Sequence, residues 1–150
     1  DKDAINKYKI PEFQFNNIRA GEDFEISNGK FIQNKLITKK GKIANSYAYC
    51  SDTRFKESLI KKIEGVDLLY HEATFLEKHK EIAYNTGHST ALQAAHLASK
   101  SKVNNLLLGH FSQRYTDYNL IKKEAQTIFK NVILARNGLH INFRDLIHKS

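Results

Sequence analysis

VDLLYHEATF, residues 66–75, runs apolar through Val66, Leu68, Leu69 and Tyr70 and then meets His71 and Glu72. A short apolar run bounded by polar residues predicts a buried strand. Two ionisable groups at its carboxyl end are either strand-end caps or part of a site. Two other apolar runs end in the same way. SYAYC (46–50) leads into Ser51-Asp52-Thr53, and NLLLG (105–109) leads into His110-Phe111-Ser112. Functional groups in α/β sheets gather just beyond the carboxyl ends of strands, so three coincidences weigh more than one. A fourth group, Thr86-Gly87-His88-Ser89, stands immediately before ALQAAHLASK. The positive end of a helix dipole there is expected to favour an anion such as a phosphate.

The bulk properties narrow the classes. A chain of 150 residues is one domain or a piece of a larger one. Its 41% hydrophobic and 11% aromatic content suits a packed core rather than a low-complexity segment. With 24 basic against 16 acidic residues the net charge is +8, which favours an anionic partner, nucleic acid first, although many proteins are basic for solubility alone. The single cysteine, Cys50, excludes an internal disulfide framework and suits a reducing cytoplasm. It lies in an apolar run and reads as a buried structural thiol rather than a nucleophile. No stretch approaches the roughly 18 apolar residues of a membrane span, and DKDAINKYK at the start is no signal peptide. With no methionine anywhere, the expectation is a fragment or a processed product.

The first 45 residues differ from the rest. They hold the only proline, Pro11, with Gly21, Gly29, Gly41 and many lysines. FQFNNI (13–18) and KFIQNKLI (30–37) read as hairpin-like strands, with turns at 20–22 and 27–30 and a basic loop at 38–42. This portion is expected to form an extended, partly peripheral arm. From Ser46 onward strands and helices alternate. SYAYC precedes an expected helix carrying Phe55, Leu59, Ile60 and Ile63 on one face. Thr90 with Gln93 fits a capping box that opens a helix over ALQAAHLASK. Tyr118, Ile121, Ala125 and Ile128 predict a buried helical stripe. NVILA and LHINF read as final strands flanking a turn at Asn137-Gly138. The alternation argues for a layered α/β fold.

Imidazole and carboxylate are zinc ligands, and catalytic zinc sites mix them while leaving a position open. No His-x-His or His-x-x-x-His spacing occurs, so metal binding and ordinary strand-end capping both stand open on pattern alone. Among the remaining histidines, His79 lies between lysines and glutamates and reads as a solvated face. His96 in mid-helix reads as packed or exposed, and His140 and His148 as structural or surface residues. Arg114-Tyr115 offers a guanidinium suited to phosphate and a ring suited to base stacking, or else a surface turn.

Four motifs in order, YCSDT, YHEATF, GHSTALQAA and LLLGHFSQRY, resemble the second half of the ribonuclease Z (tRNase Z) family. These are metallo-β-lactamase-fold endonucleases that remove the 3′ trailer of precursor tRNA. The resemblance covers residues 46 to 138. Residues 1–45 resemble more loosely the return limb of that family's tRNA-binding arm, whose Gly-Pro tip is replaced by Pro11-Glu12-Phe13. The resemblance implies an α/β chain forming the C-terminal half of a metallo-β-lactamase-type αββα sandwich over 46–150, with 1–45 as arm and return strands. It implies that Asp52 bridges two zinc ions, manganese being tolerated by the same ligands, and that His110 binds one of them. It implies that His88 protonates the leaving oxygen, with Glu72 orienting it and His71 behind. It also implies that Arg114 and Tyr115 stand near the phosphate, with Ser112 in support. The substrate would be precursor tRNA, the assembly a homodimer, the location cytoplasmic, with no membrane involved.

The family's His-x-His-x-Asp-His motif is absent from the chain. Asp52 and His110 alone cannot hold two ions, so the expectation is half a site, inactive by itself. A half-sandwich would also expose an apolar sheet face and an unpaired edge, and hence associate. Two alternatives remain: a non-catalytic RNA- or protein-binding module derived from this fold, and another phosphodiesterase of the superfamily.

Overall fold

The computed structural model describes residues 1–27, 29–41 and 44–146. Asn28 of the 27–30 turn, Lys42 of the basic loop and His148 lie outside the described residues. The chain divides into two compact units, Asp1–Ile43 and Ala44–Ser150.

The first unit has a core of its own, made by Ala4, Ile10, Ile18, Phe24, Ile32 and Ile37. It contains helices α1 (Lys2–Tyr8), α2 (Phe15–Arg19) and α3 (Asn34–Ile37) and an antiparallel hairpin of β1 (Phe24–Ile26) with β2 (Lys30–Ile32). It is therefore a folded unit rather than an extended one. FQFNNI is helical, not a strand: Phe15 and Ile18, three apart, turn to the core while Phe13 stays exposed. KFIQNKLI divides into β2 and α3. Asn34 diverts it, since its side-chain amide donates to the carbonyls of Ile18 (2.6 Å) and Glu22 (2.8 Å) while Asp23 accepts its backbone N–H (2.7 Å).

The second unit is a four-stranded parallel sheet in the order β3 (Tyr47–Cys50), β4 (Leu68–Glu72), β5 (Asn105–Gly109), β6 (Val132–Leu134). Side chains alternate across a strand, so Leu69 and His71 share one face with Leu106 and Leu108. That face is covered by α5 (Ala91–Lys100) and α6 (Asn119–Gln126). The buried Ala91, Ala94, Ala95 and Ala98 of α5 let its backbone approach the sheet closely. Thr90 and Gln93 make the expected capping box, with both reciprocal hydrogen bonds present. The opposite face carries Tyr47 and Tyr49, 52% and 64% exposed, with the Tyr49 ring stacked on Tyr70 at 4.5 Å. β3 is also an outer strand of the sheet. An open aromatic face and an edge strand with no outer partner among the described residues are what the αβ half of a four-layer sandwich presents.

Three elements differ from expectation. Residues 55–63 form only a 3-10 turn at Glu57–Leu59 followed by further turns, although Phe55, Leu59, Ile60 and Ile63 do pack on the core. In α6 the buried residues are Ile121 and Ala125; Tyr118 and Ile128 flank it and stay partly exposed, and Phe129 takes the buried place. LHINF joins no strand among the described residues and ends in a 3-10 turn, Phe143–Asp145, capped by the Asn142 side chain. Gly138 turns with φ 74°, as the Asn-Gly pair predicts.

Candidate active site

Parallel pairing brings the strand ends level. Cys50 lies opposite His71 and Glu72 opposite Gly109, so the segments leaving β3, β4 and β5 emerge side by side. Two of them turn sharply at once. Asp52 (φ 48°) and His110 (φ 57°) are left-handed, a conformation that costs an L-residue about 1–2 kcal/mol. The other two non-glycine residues with positive φ among the described residues are Lys9, which ends α1, and Lys102 in the turn after α5. At the site the strained backbone instead aims Asp52 and His110 toward each other, with His110 Nε2 3.2 Å from Asp52 Oδ1. His88 comes from a different direction. It follows α4 (Lys80–Thr86), which ends at Gly87 (φ 81°), and its ring centroid lies 5.1 Å from that of His110.

Glu72 organises this group from below. Its side chain is fully buried, and its two oxygens accept from four residues. Oε1 receives the Thr53 N–H at 2.6 Å and His88 Nδ1 at 3.0 Å. Oε2 receives the Thr74 hydroxyl at 2.6 Å, the Ser89 N–H at 3.1 Å and His88 Nδ1 at 3.1 Å. Burial pushes the carboxyl pKa up, but these donors outweigh it and hold Glu72 below the usual carboxylate range. It is therefore ionised, and its acceptor capacity is spent. The Ser89 hydroxyl donates to the Thr53 carbonyl at 2.6 Å and so ties the His88 loop to the Asp52 loop.

Asp52, Glu72, His88 and His110 each offer one ligand atom within 4.8 Å of the others, the one such cluster among the described residues. The donor chemistry fits a divalent ion: a carboxylate and imidazoles, partly solvent-facing, mixed as in catalytic zinc sites. Asp52 and His110 are the residues with room to bind one, at 72% and 42% side-chain exposure, whereas Glu72 has none.

The other residues singled out in the sequence spread more widely. Arg114 lies over the Phe75 ring at 5.1 Å, with its Nε 3.3 Å from the Ser112 hydroxyl. Phe75 in turn lies 6.3 Å from the His88 ring, and the Ser112 N–H donates to the Thr74 carbonyl. Arg114 and Ser112 thus border the cluster. Tyr115 does not offer a stacking face. It is buried, its hydroxyl accepts the Leu76 N–H at 3.0 Å, and it donates to His79 Nδ1 at 2.6 Å. That bond also removes His79 from the freely solvated class; partial burial, then the nearby Arg114 and Lys78 charges, lower its pKa. His71 points into the core, its Nδ1–H donating to the Glu72 carbonyl at 2.7 Å. Burial lowers its pKa and keeps it neutral. His96 and His140 are exposed. The amino end of α5 is not an open anion site either. Its Ala91 N–H goes to the Phe75 carbonyl, Leu92 N–H to Glu124 and Gln93 N–H to Thr90.

Sequence reading passed over Thr53, Thr74 and Ser89 as site residues. Thr53 and Ser89 directly follow an ionisable residue and Thr74 lies two positions after one, which is the only signal the sequence carries.

The parallel sheet with helices on one face superposes on metallo-β-lactamase-fold proteins, and that is the fold of this chain. The metallo-β-lactamase-fold protein YhfI of Bacillus subtilis superposes with a TM-score of 0.60 at 28% identity over 64% of this chain and 39% of that one. A long-form RNase Z from yeast superposes with a TM-score of 0.55 at 26% identity, over 66% of this chain and 13% of that one. Within that fold the chain is homologous to ribonuclease Z. It is 43% identical to Ribonuclease Z of Bacteroides fragilis over 141 residues, which is 94% of this chain and 46% of the relative. Ribonuclease Z of Parabacteroides distasonis is 46% identical over 141 residues, again 46% of its length. The chain thus spans about half the length of the curated relatives it matches. No protein-family profile matches it.

Proposed function

We propose that the chain forms part of an endoribonuclease that removes the 3′ trailer of precursor tRNA. The observation that carries this reading is the division of labour within one cluster. Asp52 and His110 keep atoms free for an ion, while Glu72 spends its oxygens on orienting His88. The relatives' name and the net charge of +8 support a tRNA partner.

Asp52 and His110 would hold the ion, zinc by preference and manganese as the alternative that the same donors accept. When bound, a divalent ion supplies a Lewis acid that activates water and offsets phosphate charge. His88 protonates the departing ribose oxygen. Its Nδ1 is taken by Glu72, which orients the ring and leaves Nε2 for the proton transfer. Arg114, braced by Phe75 and Ser112, offers its guanidinium to a phosphate oxygen. His71 acts only by filling the core behind Glu72. The first unit takes the part of the tRNA-binding arm. Assembly of the complete enzyme as a cytoplasmic homodimer completes the proposal, while the open Tyr47/Tyr49 face supports association of this chain alone, with the half that would cover it or with itself.

Two ligands do not complete a two-ion centre, so the remaining ones come from outside these 150 residues and the chain alone leaves precursor tRNA uncut. The test compares the protein at its natural length with this chain, on precursor tRNA bearing a 3′ trailer, with zinc and with chelator. Trailer release by the natural-length protein that chelator abolishes is expected. Cleavage by the 150-residue chain alone, or cleavage indifferent to chelator, would overturn the reading.

A further inference from the structure

We infer that Thr74 is a positioning residue that fixes the tautomer of His110, so that one buried carboxylate aims the Nε2 atoms of both His88 and His110. Thr74 is 7% exposed, and its Oγ1 lies 2.6 Å from Glu72 Oε2 and 2.8 Å from His110 Nδ1. A threonine hydroxyl has one hydrogen to give and lone pairs to accept with. Each Glu72 oxygen already faces a backbone N–H that can only donate, Thr53 at Oε1 and Ser89 at Oε2, so the carboxylate accepts on both oxygens. The Thr74 hydrogen therefore goes to Glu72, and the imidazole must donate its Nδ1–H to Thr74 Oγ1. The chain of bonds runs His110 Nδ1–H to Thr74 O–H to Glu72, in parallel with the direct bond from His88 Nδ1–H to the same carboxylate. In a neutral His110 the lone pair is then left on Nε2, which faces Asp52 Oδ1 at 3.2 Å. Two acceptors that close attract a cation between them, whether a proton or a metal ion. Partners of this kind set ligand orientation and basicity in metal sites.

The inference rests on the proposed function only for what Nε2 binds; the tautomer itself is a property of the metal-free chain. The test is accordingly in two parts. Two- and three-bond proton–nitrogen NMR correlations on the 15N-histidine-labelled, metal-free chain, at about pH 8.5 where histidine is neutral, report which nitrogen carries the proton. His110 should show the Nδ1–H form. Finding Nε2–H in the unmodified chain overturns the inference with no variant needed. Thr74→Val keeps shape and removes the hydroxyl, and should move His110 to the Nε2–H form, which can donate to Asp52. Thr74→Ser should restore the Nδ1–H form. Titration with zinc alone should then show the dissociation constant rising about 10–100-fold in Thr74→Val and recovering in Thr74→Ser. Nδ1–H in Thr74→Val refutes the role of the hydroxyl. A tautomer that switches as described while zinc binds all three forms equally would sustain Thr74 as the tautomer-setting group and sink His110 as a ligand.

Discussion

Glu72→Gln removes one charge and changes one atom, and the donors around the side chain determine the consequence. The carboxylate receives N–H groups from Thr53 and Ser89, the Thr74 hydroxyl and His88 Nδ1. A glutamine has one carbonyl oxygen, and its amide nitrogen must face the donors on the other side. Placed at the Oε1 position, the amide opposes the Thr53 N–H; placed at Oε2, it opposes the Ser89 N–H and the Thr74 hydroxyl. Either way one buried N–H loses its acceptor, at a cost of about 1–3 kcal/mol. The bonds that survive lose their charge assistance and roughly half their strength. A destabilisation of about 3 kcal/mol results, which at about 2–4 °C per kcal/mol lowers the unfolding midpoint by roughly 6–12 °C. Thermal and urea unfolding of both forms at neutral pH, read by circular dichroism, measure it. Zinc content at saturating zinc, measured well below the lowered midpoint, should not change, and trailer cleavage by the natural-length protein should slow about 10–100-fold. A shift below about 1 kcal/mol would refute the account of Glu72 as a saturated acceptor. Loss of zinc from the folded variant even at saturating metal, beyond the weaker affinity that a disturbed Thr74–His110 bond gives, would return Glu72 to the ligands.

Asp52→Asn should weaken zinc binding, measured by competition with a chromogenic chelator, with little change in stability, because the side chain is mostly exposed; unchanged affinity would remove Asp52 from the ion. Gly109→Ala should cost about 1–3 kcal/mol in urea denaturation, since an added Cβ would lie 2.8 Å from Tyr70 Cζ and closer still to its hydroxyl. Combining it with Tyr70→Leu should recover part of that loss, and strict additivity would show that the two do not touch. His71 supplies an acid-sensitive element. Burial lowers its native pKa, so the unfolded chain takes up a proton below about pH 6.5 that the folded chain refuses. Its stabilising share is complete above that pH and is lost as the pH falls toward the native value. His71→Leu should flatten this part of the stability profile in urea titrations between about pH 7.5 and 5, and an unaltered slope in the variant would contradict it.

VDLLY and NLLLG were legible because buried parallel strands carry continuous apolar sequence and their carboxyl ends cannot hide charge, whereas SYAYC reads the same way yet forms an outer strand with Tyr47 and Tyr49 exposed. The capping box was legible because its two hydrogen bonds lie within four residues. FQFNNI was not, because an alternating Phe-Gln-Phe imitates a strand when the burial that decides it, at Phe15 and Ile18, has helical spacing. LHINF has strand-like residues, but no neighbouring strand pairs with it among the described residues. Tyr115 illustrates the harder limit. Its ring suits stacking in the sequence, yet the polar groups that capture its hydroxyl, Leu76 N–H and His79, lie 36 or more residues away.

The same limit explains why sequence pattern gave the site its ionisable groups and withheld its connecting ones. A carboxylate and a histidine are rare enough at strand ends to be conspicuous, whereas threonine and serine are common everywhere. Yet Thr53, Thr74 and Ser89 make the cluster one object. Each gives Glu72 a hydrogen bond from a different segment, those following β3, β4 and α4. The buried charge needs these donors to remain ionised, and the three segments need the charge to stay together. Thr53 and Ser89 give theirs through backbone N–H groups that survive substitution, so removing the Thr74 hydroxyl, or the Ser89 hydroxyl that ties the Thr53 carbonyl, is what should shift the orientation of His88 or His110, not merely local stability. Coupling between Thr74 and Ser89 hydroxyl-deleting variants in double-mutant cycles should therefore reach about 0.5–3 kcal/mol, and additive effects would separate the cluster into independent parts.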